Sequence, residues 1–201
     1  MSVDTISPPA EPPEGPLYRL GVEAYFEMAR LGILGPDDKV ELLEGMLVEK
    51  LVKYPPHIHS TKRCFSLLTA LLPPGWHVAK EDPIRVGTSV PEPDISVLRG
   101  QESDYREHWP DPHQVGLVVE VADASLARDR RTKRRICGGA GLAVYWLVNL
   151  VQRRIEVHID PTGPGEAPGY RSVTNHLPDK TIPFFLDGVE VGRVAVADIL
   201  P

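Results

Sequence analysis

PEPDISVLRG (residues 91–100) and GLVVEVAD (116–123) are two short apolar runs, each with one carboxylate at its margin. Asp94 opens the first run and Glu120 lies near the end of the second. GLVVEV is nearly all apolar, as expected of a strand covered on both faces. A carboxylate at the edge of such a run is costly unless it is paired or bound to a metal. A basic stretch follows, RDRRTKRR (128–135), and contributes Lys133. Two strand-borne carboxylates with a lysine nearby suit metal-dependent hydrolysis of a phosphodiester. A cation there neutralises the phosphate and acidifies an attacking water. Magnesium needs only one or two carboxylates because it keeps several waters. Asp94 and Glu120 are the candidate metal ligands, and Lys133 is the candidate preorganised cation.

Working outward, DISVL (94–98) and GLVVEV (116–121) are predicted strands, with WHVAK (76–80) and PIRV (83–86) preceding them as one broken strand. Upstream, GVEAYFEMARLGILG (21–35) is predicted as a helix with Val22, Phe26 and Ala29 on one face. KVELLEGMLVEK (39–50) is predicted as a hairpin turning at Glu44-Gly45. A second helix runs through HIHSTKRCFSLLTALLPPG (57–75), with Ser60 as its N-cap and Phe65, Leu68, Leu71 and Leu72 as its apolar stripe. A third helix is expected over Leu126–Ala140, where Asp129 and Lys133 are i,i+4 partners. Ile136 and Cys137 would pack on the sheet, leaving Arg130, Arg131 and Arg134 outward to meet phosphates. VYWLVN (144–149) and RRIEVHI (153–159) form a strand pair, and YRSVTNHL, IPFFL and VEVGRVAV are short strands closing an edge. The element order predicts an α/β (α+β) fold with a central mixed β-sheet flanked by helices.

Composition narrows the class. The chain has 201 residues, a net charge of −6 and two cysteines, Cys64 and Cys137, that form no CxxC pair. These read as reduced thiols in a cytoplasmic protein. No stretch is long and apolar enough to span a bilayer, and the N-terminus lacks the basic and apolar regions of a signal peptide. Residues 1–16 hold five prolines and read as a disordered tail, with a single domain over 17–201. The acidic balance argues against a non-specific nucleic-acid coat, while the run at 128–135 supplies a local basic patch.

The order YRLGVEAYFEMARLGILGPDDKVELLEGMLVEK, PPH, LPPGWHVAKEDPIRV, PEPDISVLRG and LVVEVADASLARDRRTKRRICGGAGLAVYWLVNL resembles the Uma-type endonuclease family. This bacterial group lies within the PD-(D/E)XK nuclease superfamily. The resemblance implies a restriction-endonuclease-like core and an endonuclease that uses Mg²⁺ or Mn²⁺ to cleave DNA, acting as a homodimer. It makes Asp94 the PD aspartate and Glu120 the acid of the (D/E)XK element. The lysine position two residues later is Ala122, and the family's lysine moves to the following helix after an aspartate, matching Lys133 and Asp129. Glu41 in the hairpin and His57 at the second helix match a supporting acid and histidine. Three positions depart from the pattern: Cys137 stands for a tyrosine, Val144 for an acid and Asn149 for an aspartate. A second reading therefore stands beside the first: a non-catalytic binding or assembly module that keeps the nuclease fold.

Overall fold

The computed structural model describes residues 15–201, so the proline-rich tail lies, up to residue 14, outside the described residues. Helix α1 spans Val22–Arg30 and buries Val22 and Tyr25. Tyr25, rather than Ala29, completes its packed face, because α1 rests on Leu42 and Val90 through a narrow contact. Strands β1 (Val40–Leu43) and β2 (Met46–Glu49) pair as the expected hairpin. Glu44 and Gly45 both take positive φ (49° and 76°), as a tight two-residue turn requires. A side chain at 45 would also collide with Arg19.

Helix α2 runs Pro55–Leu71 and starts earlier than expected, after Tyr54. Proline at the first helical position costs no hydrogen bond, since that N–H has no helical acceptor. Ser60 is therefore not an N-cap but an interior residue, fully buried. The early start puts His57, Thr61, Cys64 and Leu68 on one buried stripe.

Strands β3 (Trp76–Ala79), β4 (Ile95–Arg99) and β5 (Val115–Ala122) follow, then β6 (Val144–Asn149), β7 (Arg154–Pro161) and β8 (Tyr170–His176). Among the described residues these six form one sheet in chain order, β3 to β8. Neighbours are antiparallel except β5 and β6, which are parallel. PIRV does not extend β3. Glu81 turns the chain at φ 60° and Val86 makes only an isolated bridge to Ser89.

The parallel β5–β6 pair needs a crossover. It is made by α3 (Leu126–Arg128), a π-helical turn at Asp129–Lys133 and α4 (Arg134–Gly139). The predicted continuous helix is thus broken by a wider turn at the residues singled out for chemistry, a known habit of π-turns. Strands β9 (Thr181–Leu186) and β10 (Val189–Ala195) form a separate ribbon rather than closing the edge, and α5 (Val196–Ile199) ends the chain. Period-two alternation explains the layers. Leu117, Val119 and Val121 face α2, α5 and the ribbon, while Val118 and Ala122 face α4 and β1.

Candidate active site

Asp94 lies one residue before β4. The β4–β5 register pairs Ile95 with Val119, which sets Asp94 opposite Glu120. Asp94 Oδ2 accepts the Val121 N–H at 2.8 Å and lies 3.2 Å from His57 Nε2. Its Oδ1 lies 2.8 Å from Lys53 Nζ, which also reaches Glu81 at 3.0 Å. Burial would raise the Asp94 pKa, but the hydrogen bond from His57 and the charge of Lys53 hold it down, to about 2.

Glu120 lies between Val118 and Ala122, on the side of the sheet that faces α4 and β1. Its Oε1 accepts from Lys133 Nζ at 2.8 Å, and the same ammonium lies 3.1 Å from Glu41 Oε2. Glu41 is fully buried in β1, and its Oε2 also accepts the Glu92 N–H at 3.2 Å. It is a member of the cluster. Asp129 is buried beside it. Burial pushes the Glu120 carboxyl well above its ordinary range, and nearby Asp129, Asp94 and Glu41 add to this against the pull of Lys133. Asp129 is likewise raised by burial. Burial works against the Lys133 charge, yet Glu120, Glu41 and Asp129 together hold its pKa above the usual value. The group thus sets three carboxylates around the Lys133 ammonium, with the Arg128 guanidinium beside Glu41 and Asp129 and the Lys53 ammonium on Asp94.

These residues line one concavity of about 50 Å³, enough for a few waters. Two buried oxygens there, Glu41 Oε1 and Asp129 Oδ1, accept no hydrogen bond and face the Arg128 guanidinium at 3.9 and 3.7 Å. Buried carboxylate oxygens without a hydrogen bond are costly, and a hard cation takes such oxygens as ligands. The oxygen donors present are of the chemical kind that hard divalent cations take. Among the described residues no group of three or more Asp, Glu, His or Cys side chains is arranged to hold a metal ion, so any ion here would rest on one or two carboxylates and water.

Asp94, Glu120, Lys133, Glu41, His57 and Asp129 all line this concavity. Two expectations about them change. Lys133 pairs with Glu120 and Glu41, not with its i,i+4 neighbour Asp129, because the π-turn widens the helix between them. Arg130 and Arg134 are not free outward groups. Arg130 grips Glu156 through two nitrogens, and Arg134 bonds His158 and the Tyr170 carbonyl. Arg131 alone of the three is exposed. Lys53 and Arg128 escaped the sequence reading. Lys53 sits in an aperiodic linker, where its position just before Tyr54-Pro55-Pro56 was the only signal. By sequence Arg128 belongs only to a charge run, yet it lies 3.9 Å from Glu41 and 3.7 Å from Asp129. Cys64 and Cys137 are buried, and burial raises both thiols, Cys64 to about 12, so neither supplies a thiolate.

The Uma2 family model, described as "Putative restriction endonuclease", matches residues 22–192. A crystal structure from Anabaena variabilis, described as "a putative nuclease belonging to DUF820", shares the fold with a TM-score of 0.69 at 15% identity. That match covers 90% of this chain and 97% of the other. No curated protein matches the sequence.

Proposed function

The chain belongs to the Uma2 family, and on that premise we propose that it is a divalent-metal-dependent endonuclease that hydrolyses phosphodiester bonds in DNA. The observation that carries this is the meeting of Asp94 and Glu120 across β4 and β5, with the Lys133 ammonium 2.8 Å from Glu120. Asp94 and Glu120 would hold Mg²⁺ or Mn²⁺, with Glu41 beside them. When bound, such an ion supplies charge neutralisation at the scissile phosphate and a more acidic water.

The remaining steps belong to the chain's own groups. Lys133, kept cationic by its carboxylates, orients the attacking water and offsets charge on the phosphate as water displaces the leaving oxygen in line. No covalent enzyme intermediate is involved. His57, held near Thr61 in the first turn of α2, fixes the Asp94 carboxylate through Oδ2. Lys53 guards the opposite Asp94 oxygen at the mouth of the concavity. A homodimer in which each protomer cuts one strand is part of this proposal, and sedimentation equilibrium reads it directly.

A second reading, a non-catalytic module on the nuclease fold, draws on Lys53: an ammonium already occupies the Asp94 oxygen that a cation would use. The deciding experiment is calorimetric titration of Mg²⁺ and Mn²⁺ into wild type and Glu120→Gln, followed by incubation with supercoiled plasmid. Saturable binding that the variant loses, with metal-dependent nicking at least about a hundredfold above the variant, is the expected result. Absence of both binding and nicking in wild type moves the assignment to the second reading.

A further inference from the structure

The crossover helices have a second side. Across the sheet, Glu120 pairs with Leu147, and Leu147 with Glu156, so Glu156 lies two strands along the same face. That is about 10 Å at ordinary strand spacing. Glu156 is buried and bonded by Arg130, by Arg154 at 3.1 Å and by Asn149 at 3.0 Å. Next to it, His158 is 2% exposed. Its Nδ1 accepts from Arg134 Nε at 3.2 Å, so the ring proton sits on Nε2. That Nε2 has no hydrogen-bond partner, and Glu156 Oε2 lies 3.9 Å away, out of reach.

Arg130, Arg134, Arg154, Glu156, His158 and the exposed Val173 line an open concavity of about 350 Å³. Three guanidiniums against one carboxylate leave it with two uncompensated positive charges. Each arginine uses two of its three nitrogens on protein acceptors, so donors remain. Asn149 contributes too. An aspartate at 149 would set a carboxylate against Glu156, whereas the amide donates to it. The departure from the family pattern at this position thus belongs to the arginine cluster.

We propose that this concavity is a phosphate-binding site, in which an oxyanion accepts from the free guanidinium nitrogens of Arg130, Arg134 and Arg154. Planar guanidiniums with a fixed N–H match phosphate geometry and charge. The phosphate is either one of the nucleic-acid backbone or a free phosphate. The first source rests on the nuclease reading, and the site itself does not.

The test uses the full chain without added metal. Inorganic phosphate is titrated by calorimetry at fixed ionic strength into wild type, Arg154→Gln and Val173→Glu. Val173→Glu adds a negative charge at the exposed rim and leaves the network untouched, so it covers the case that Arg154→Gln unfolds. Saturable binding weakened about tenfold by each substitution is expected. No binding to wild type, or equal binding by all three folded proteins, overturns the site. A short DNA duplex is then bound to the Asp94→Ala background. If the same substitutions weaken it and lower its salt slope by about one, the site takes a strand phosphate. If they leave DNA binding unchanged while phosphate binding falls, it takes free phosphate. Phosphate binding without nicking would sink only the nuclease reading, and nicking without phosphate binding would sink only this site.

Discussion

Lys133 is the residue on which the buried charge balance turns. It sits between Glu120 and Glu41 with almost no exposure, and removing one partner of a buried ion pair leaves the other uncompensated. Lys133→Met keeps the length and packing but strands two carboxylates. It should destabilise the fold by about 3–5 kcal/mol, read by urea denaturation, and adding Glu120→Gln should restore part of the loss. A Lys133→Met protein as stable as wild type would mean that Glu120 and Glu41 are relieved by another group. At this scale the sequence was informative wherever an acid broke an apolar run. Asp94 and Glu120 stood out for that reason. Lys53 did not, because a lysine in a linker is ordinary until folding carries it to within 2.8 Å of Asp94.

At the scale of elements, the crossover from β5 to β6 links the two clusters. Its π-turn places Lys133 inward on the carboxylates, and Arg130 and Arg134 reach the β7–β8 side. The exit from this crossover is tightly seated. A Cβ at Gly138 would overlap the Gly169 backbone, which precedes the Tyr170 whose carbonyl Arg134 holds. Gly138→Ala should therefore cost about 1–3 kcal/mol despite its better helix propensity, measured as a lowered Tm. A raised Tm would show that the 162–169 loop yields without cost. The helix was legible from its residues, but its π-turn was not. A wider turn leaves no mark in apolar periodicity over five residues that are nearly all charged.

For the whole molecule, acid should weaken the fold in two stages. Burial, then the charge of Arg134, lower the His158 pKa to about 4 from the usual 6.5. The unfolded chain takes that proton first, so stability is lost as pH falls from 6.5 towards 4, by an amount on the order of 2–3 kcal/mol. Asp94, depressed to about 2 from 3.8, contributes stability that is present above 3.8 and lost below it. Equilibrium unfolding across pH 3–7 should show the first slope in wild type and a flatter one in His158→Asn. An identical slope in the variant would assign the acid loss elsewhere. Among the described residues no helix is long and apolar enough to cross a membrane.

Local pattern alone determined the mixed α+β class, the acids Asp94 and Glu120 at the margins of two apolar runs, and the hairpin that carries Glu41. Period-two burial and the cost of a charge in an apolar strand are properties of short segments. Tertiary structure alone decided the partners. Register across three strands put Glu156 on the row of Glu120, the early start of α2 turned His57 to Asp94, and the π-turn swung Lys133 from Asp129 to Glu120. Such pairings depend on where distant segments come to rest, because a charge buried by folding takes the nearest counter-charge in space, whatever its distance along the chain.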